Sequence, residues 1–228
     1  DNEKRLLTLL PNSLDTLLVF LAVARMGGTL IPQSFQSTPP EIENLLAKTR
    51  PDLALIPSDA SAVMREILDR DGVPFKNMRE IYEALSTLPC TIDHQSRREV
   101  KSAQVFLQTS GTTGEPRTMV IEIDRLWESA LAWVDFHKEL NHPCRFLNYL
   151  PHAYLGGLYN LCLIPIAARG PTVYGINFFS IYRTSPPNAI GALSQTNEIR
   201  RLVDAYELSC PDVFLLNTHM SEDWAATN

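Results

Sequence analysis

Gln108-Thr109-Ser110-Gly111-Thr112-Thr113-Gly114-Glu115-Pro116-Arg117 is the one dense polar motif of the chain, and it lies between two apolar, strand-like runs at 105–108 and 119–123. Its two glycines, Gly111 and Gly114, let the backbone turn tightly and approach a ligand closely. Thr109, Ser110, Thr112 and Thr113 add hydroxyl donors beside the backbone N–H groups. Arg117 adds a permanent positive charge with a forked donor set. Such an array suits a polyphosphate. By composition alone a Gly/Thr/Ser cluster reads as an ordinary turn. A Walker loop is excluded, because Pro116 stands five residues after Gly111 and no Gly-Lys-Ser/Thr follows.

Around this loop, strand and helix patterns alternate. Residues 6–10 form a short apolar run ended by Pro11. Asn12 or Ser13 then caps a helix over 14–26 that is apolar all round, which predicts burial on both faces, and Gly27-Gly28 stops it. A strand over 29–31 precedes Thr38-Pro39-Pro40-Glu41, a capping-box helix start with proline where a missing N–H costs nothing. Ile42, Leu45, Leu46 and Thr49 share one face of that helix. The continuous apolar run 53–56 predicts a strand covered on both sides. Helical periodicity returns over 60–68 and 78–85, and 89–101 reads as a polar connection. Asp124 is expected to cap a helix carrying Leu126, Trp127, Ala130, Leu131 and Val134. Beyond it come strands at 146–150 and 172–174 around a helix over 155–168 that tolerates Pro165. A helix over 198–208 and a last strand over 213–216 complete the pattern. The alternation predicts an α/β fold with parallel-rich sheets flanked by helices.

Composition narrows the function. A chain of 228 residues, 45% hydrophobic and 20% charged, can bury a core and is not of disordered type. The longest apolar stretch, 17–24, is too short to span a membrane. A net charge of −6 argues against nucleic-acid backbone binding. Cys90, Cys144, Cys162 and Cys210 are widely spaced, which fits reduced thiols in a cytoplasmic protein rather than a zinc site or disulfide framework. His94, His137, His142, His152 and His219 show no metal-ligand spacing, so no metal site is expected from them. No G-x-S-x-G elbow supports a serine hydrolase. An initial Asp suggests that the sequence starts inside a longer gene product.

The order of residues is more specific than their composition. Thr-Ser-Gly-Thr-Thr-Gly-x-Pro-Arg resembles the phosphate loop of the adenylate-forming enzymes: acyl-CoA synthetases, luciferases and peptide-synthetase adenylation domains. Leu9-Leu10-Pro11-Asn12-Ser13 and Arg25-Met26-Gly27-Gly28-Thr29-Leu30-Ile31-Pro32 look like an early segment of that family. Leu150-Pro151-His152-Ala153-Tyr154-Leu155-Gly156-Gly157-Leu158 looks like its acyl-pocket motif, Pro-x-x-(His or aromatic)-x-x-Gly. The resemblance runs from about residue 6 to residue 216 and is thinnest after Tyr174.

It implies a two-step reaction in which a carboxylate attacks the α-phosphate of Mg-ATP and a thiol then displaces AMP. The thiol would be that of coenzyme A or of a carrier-protein arm. Carried over residue by residue, Thr109, Ser110, Gly111, Thr112, Thr113 and Gly114, with Glu115 and Pro116 completing the loop, would embrace the phosphates. Arg117 would stand where the family more often has Lys. Tyr154 takes the gating position beside the carboxylate, and Gly156 and Gly157 allow close approach. His152 has two readings, substrate contact or loop packing.

The departures are equally definite. The family's Tyr-Gly-x-Thr-Glu motif, with its Mg²⁺-binding glutamate, is not found; Tyr174-Gly175 is followed by Ile176-Asn177-Phe178. The ribose-binding Asp, the small C-terminal domain with its catalytic Lys, and the usual upstream strand and helix have no counterpart either. The expectation is a partial N-terminal adenylation domain, with a first α/β portion over 1–101 and the phosphate-loop and acyl-pocket portion over 102–228. The competing expectation is a non-catalytic relative that binds a nucleotide, an acyl group or a protein partner.

Overall fold

In the computed structural model, residues 4–35, 37–88, 102–108, 118–136, 146–148, 152–168 and 173–175 are described. The loop 109–117, the connection 89–101, and the helix and strand expected over 198–208 and 213–216 lie outside them. The chain divides into two bodies, Asp1–Ser129 with His152–Leu155, and Ala130–Pro151 with Gly156–Asn228.

The first body is built on a six-stranded sheet. Its elements are β1 (Arg5–Thr8), α1 (Leu14–Met26), β2 (Thr29–Pro32), α2 (Pro39–Thr49), β3 (Leu53–Ile56), α3 (Ala62–Arg70), β4 (Phe75–Asn77), α4 (Met78–Ser86), β5 (Gln104–Gln108) and β6 (Thr118–Glu122), with α5 (Ile123–Phe136) following. The strand order is β4-β3-β1-β2-β5-β6, and only the β5–β6 pair is antiparallel. From β1 the chain steps to β2 on one side, returns past β1 to β3, and continues to β4. Right-handed crossovers therefore put α1 on one face and α2 and α3 on the other.

Alternation along each strand fills both faces. Leu7, Leu9, Ile31, Ala54 and Ile56 pack with Ile42, Leu45 and Leu46 of α2 and Met64, Ile67 and Leu68 of α3 in one buried cluster. The expected face of α2 is thus the buried one. α1 buries Thr16, Val19, Phe20 and Val23. Burial of its other face is not found: Leu14, Leu18 and Leu21 are 68%, 45% and 44% exposed.

The helix ends follow local chemistry. Ser13 caps α1, its Oγ accepting from Thr16 N–H at 3.4 Å, and Gly27 closes it at φ 68°, a left-handed conformation that favours glycine. α3 starts two residues later than its periodicity suggested, because Ser61 rather than an earlier residue takes the Met64 N–H, at 3.2 Å. β4 has no expectation to match; three residues are too few to show a period. α4 opens on a capping box in which Asn77 Oδ1 accepts from Glu80 N–H at 3.0 Å and Glu80 Oε2 accepts from Asn77 N–H at 2.7 Å. Asn77→Ala is expected to lower the unfolding free energy by about 1 kcal/mol, read from urea titration, with no change in ligand binding.

One expectation is corrected downstream. α5 begins at Ile123 directly after β6, so Asp124 lies in its first turn instead of capping it. The helix expected over 155–168 is present; most of it, Gly156–Leu163, winds as a π-helix, and a short α6, Ile164–Ala167, follows. Gly156-Gly157 weakly favours α geometry, and Pro165 cannot donate within a regular ladder, so the wide turns end just ahead of it. The second body also contains a parallel pair, β7 (Phe146–Asn148) and β8 (Val173–Gly175).

Candidate functional site

All the parallel strands of the first body end at one edge of the sheet, where doubly wound α/β folds take their ligands. The turn Pro11-Asn12-Ser13 leaves β1 there. Thr16 braces it, its hydroxyl donating to the Pro11 carbonyl at 2.7 Å. The exit of β2 is tied to its neighbour by Gln33 N–H donating to the Thr8 carbonyl at 2.9 Å, and the Gln33 side-chain amide donates to Ser37 Oγ at 2.7 Å. The next helix, α2, carries Glu41 in its first turn, where its carboxylate accepts from Thr38 N–H at 2.7 Å and Thr38 Oγ1 at 2.9 Å.

β5 and β6 bear on the loop 109–117 through its described ends. Gln108 and Thr118 lie opposite each other in the antiparallel pair, so the chain leaves the sheet and re-enters it at this same carboxyl edge. Thr109 through Arg117 themselves lie outside the described residues.

His152 and Tyr154 join the same body. His152 N–H donates to Asn12 Oδ1 at 2.8 Å, across 140 residues of sequence. The imidazole is 7% exposed, and burial pushes its pKa down from 6.5 to about 4, so the ring is neutral at pH 7. Tyr154 is 42% exposed; burial first, and then the Glu41 charge, raise its phenol above the usual value. Gly156 and Gly157 fall in the second body, where they open the π-helical stretch. Asn12, a helix-cap candidate within the Leu-Leu-Pro-Asn-Ser segment, carries a contact to His152 that the sequence does not announce.

A cleft of about 500 Å³ adjoins the same turn, beside the ends of β1 and β3, with Pro11, Ser13, Ile56, Pro57 and Tyr82 among its lining residues. The Tyr82 hydroxyl donates to Asp15 across it. Asp15, Asp59, Glu83 and Arg79 line it, and Arg79 donates to Glu83 at 2.9 Å. Its net negative charge repels a polyphosphate. Among the described residues no group of three or more His, Cys, Asp or Glu offers a metal-ligand set, so no Mg²⁺ ligands are identified. No helix among them is long and apolar enough to cross a membrane.

These features define a mostly parallel α/β domain whose first body carries, at the carboxyl edge of its sheet, the two ends of the polar loop and the Asn12–His152 contact. A family model described as AMP-binding enzyme matches residues 1–182, and the chain belongs to that family. It is 28% identical over 170 residues to an indoleacetate–CoA ligase of Aromatoleum aromaticum, a match covering 71% of this chain and 33% of the ligase. The chain thus spans a third of the length of that relative.

Solved structures share the fold. The inhibitor-bound N-terminal domain of FACL13 from Mycobacterium tuberculosis superposes with a TM-score of 0.70 at 20% identity, covering 100% of this chain and 61% of that one. An o-succinylbenzoate CoA synthetase (MenE) from Bacillus subtilis, in complex with the intermediate OSB-AMP, gives 0.69 at 16% identity, covering 99% and 52%. ATP-bound MatB from Rhodopseudomonas palustris gives 0.64 at 21%, covering 80% and 37%. The architecture is that of the N-terminal domain of adenylate-forming enzymes.

Proposed function

We propose that the chain supplies the ATP-handling and carboxylate-binding portion of an acid–thiol ligase. A carboxylate oxygen forms a bond to the α-phosphorus of ATP while the bond to the bridging oxygen breaks and pyrophosphate leaves with the electron pair. A thiolate, from coenzyme A or a carrier arm, then attacks the acyl carbon and AMP departs. The loop Thr109–Arg117 holds the β- and γ-phosphates and offsets the charge that develops on pyrophosphate. Tyr154 closes the carboxylate side.

One observation carries this reading: the loop's two ends are paired, Gln108 with Thr118, at the carboxyl edge that also bears the Asn12–His152 contact. The two ends of the phosphate motif and the His152–Leu155 part of the acyl-pocket motif therefore lie in the first body, which supports reading them together. The experiment is exchange of labelled pyrophosphate into ATP by the 228-residue chain, with and without a carboxylate. Indole-3-acetate and o-succinylbenzoate, the acids named for two relatives, are the first to try. Carboxylate-dependent exchange is expected.

A second reading has its own support. Tyr174-Gly175 is followed by Ile176-Asn177-Phe178, without the Thr-Glu that completes the family motif. A non-catalytic relative that binds a nucleotide would show ATP or AMP binding but no exchange. Absence of both would overturn the catalytic reading and the nucleotide-binding form of the second.

A further inference from the structure

Asn12 sits in a turn that is held from both sides. Thr16 donates through its hydroxyl to the Pro11 carbonyl at 2.7 Å and through its N–H to Ser13 Oγ at 3.4 Å. The side chain between these two fixed residues reaches 140 positions along the sequence to accept the His152 N–H at 2.8 Å. A backbone N–H can only donate, so the oxygen of the Asn12 amide faces it. His152 is buried at 7% exposure, and a buried N–H deprived of its acceptor is costly. Two residues on, Tyr154 lies within the field of Glu41, whose carboxylate is fixed by Thr38. The segment from His152 to Leu155 is thereby tied by a hydrogen bond to one preset point, the exit of β1.

We infer that Asn12 is a positioning residue: its amide oxygen, by holding the His152 N–H, sets where Tyr154 stands at the carboxylate side of the site. Tyr154 touches substrate in this account and Asn12 does not. The inference rests on the reading of Tyr154 as the gate given under Proposed function. It also gives the Pro-Asn-Ser turn a task beyond capping α1, since Ser13 does the capping.

The test uses the full chain and two variants, Asn12→Ala, which removes the acceptor, and Asn12→Asp, which keeps one. In Asn12→Ala the His152 amide exchanges with deuterated water at least about tenfold faster, by NMR, and Asn12→Asp restores protection. The half-saturating concentration of indole-3-acetate or o-succinylbenzoate rises about tenfold in Asn12→Ala and returns to within about twofold in Asn12→Asp. Half-saturation by ATP is unchanged in both variants. An unchanged His152 exchange rate in Asn12→Ala overturns the inference. So does faster exchange with unchanged acid affinity. If the wild-type chain binds neither acid, the proposed function has failed for them, and the tether is judged on exchange at His152 and Tyr154 alone: unchanged rates at either amide sink it.

Discussion

The stability of the chain is expected to fall by about 3 kcal/mol as the pH is lowered from 6.5 toward 4, with His152 as the cause. Burial holds its imidazole at about 4 in the folded protein, against 6.5 for an ordinary histidine. At roughly 1.4 kcal/mol per unit, that depression corresponds to about 3 kcal/mol. Above pH 6.5 both the folded and the unfolded chain carry a neutral ring, and the full stability is present. Between 6.5 and 4 the unfolded chain takes up a proton that the folded chain refuses, so unfolding gains. Below about 4 both states are protonated and the loss levels off. Asp52 and Glu80 have lowered carboxyl pKa values, chiefly because each accepts a backbone N–H, from Arg5 and Asn77 respectively. Their losses begin below the ordinary values of 3.8 and 4.5, under most of the histidine window. Urea unfolding at pH 7 and pH 4.5 measures the difference. His152→Gln keeps the backbone N–H on Asn12 but removes the titrating ring, and flattens the profile over this interval. An equally steep profile in His152→Gln assigns the acid sensitivity elsewhere.

The parts of the fold that are legible in the sequence are those with a sharp local signal. The bounds of α1 are exact because Ser13 and Gly27 supply a cap and a left-handed stop at its two ends. β3 is exact because Leu53–Ile56 is an unbroken apolar run bounded by Asp52 and Pro57. Where several residues can play one role, the reading drifts. Ser58, Asp59 and Ser61 all precede α3, and only tertiary geometry selects Ser61. The apolar stretch after Leu155 has no polar period to separate α from π winding, so its wide turns leave no trace in the pattern.

The site divides in the same way. The motif around Tyr154 is recognisable because gate and glycines stand in fixed order. Its anchor is not, because the partner of His152 lies 140 residues away and is a common helix-cap residue. Strand patterns at 105–108 and 119–123 announce two strands but carry no information about direction. Only the register Gln108↔Thr118 shows that the pair is antiparallel and that both ends of its connection lie at the carboxyl edge of the sheet.

That register makes the loop the place to look for the largest effect on binding. Replacing Thr112 and Gly114 together by alanine and valine is expected to weaken ATP binding by about 100-fold, measured by calorimetry. Thr112 would lose a hydroxyl donor to a charged phosphate, and a Cβ at residue 114 would block close approach of the backbone. Two hydrogen bonds to a charged group, at roughly 1.5 kcal/mol or more each, are sufficient for that factor. The effect should be confined to the ligand. β5 and β6 are held by their own five-residue register from Gln104–Glu122 to Gln108–Thr118, so the urea midpoint should stay near that of the wild type. Ser58→Ala, at the acidic cleft beside β3, serves as the control and leaves ATP affinity unchanged. Arg117→Lys separates charge from shape. If Arg117 acts as a point charge, lysine preserves binding; if its two-pronged donor set holds two phosphate oxygens at once, lysine loses about tenfold. Unchanged ATP affinity in the Thr112/Gly114 double variant removes the loop from the site and, with it, the main support for adenylate chemistry in this chain.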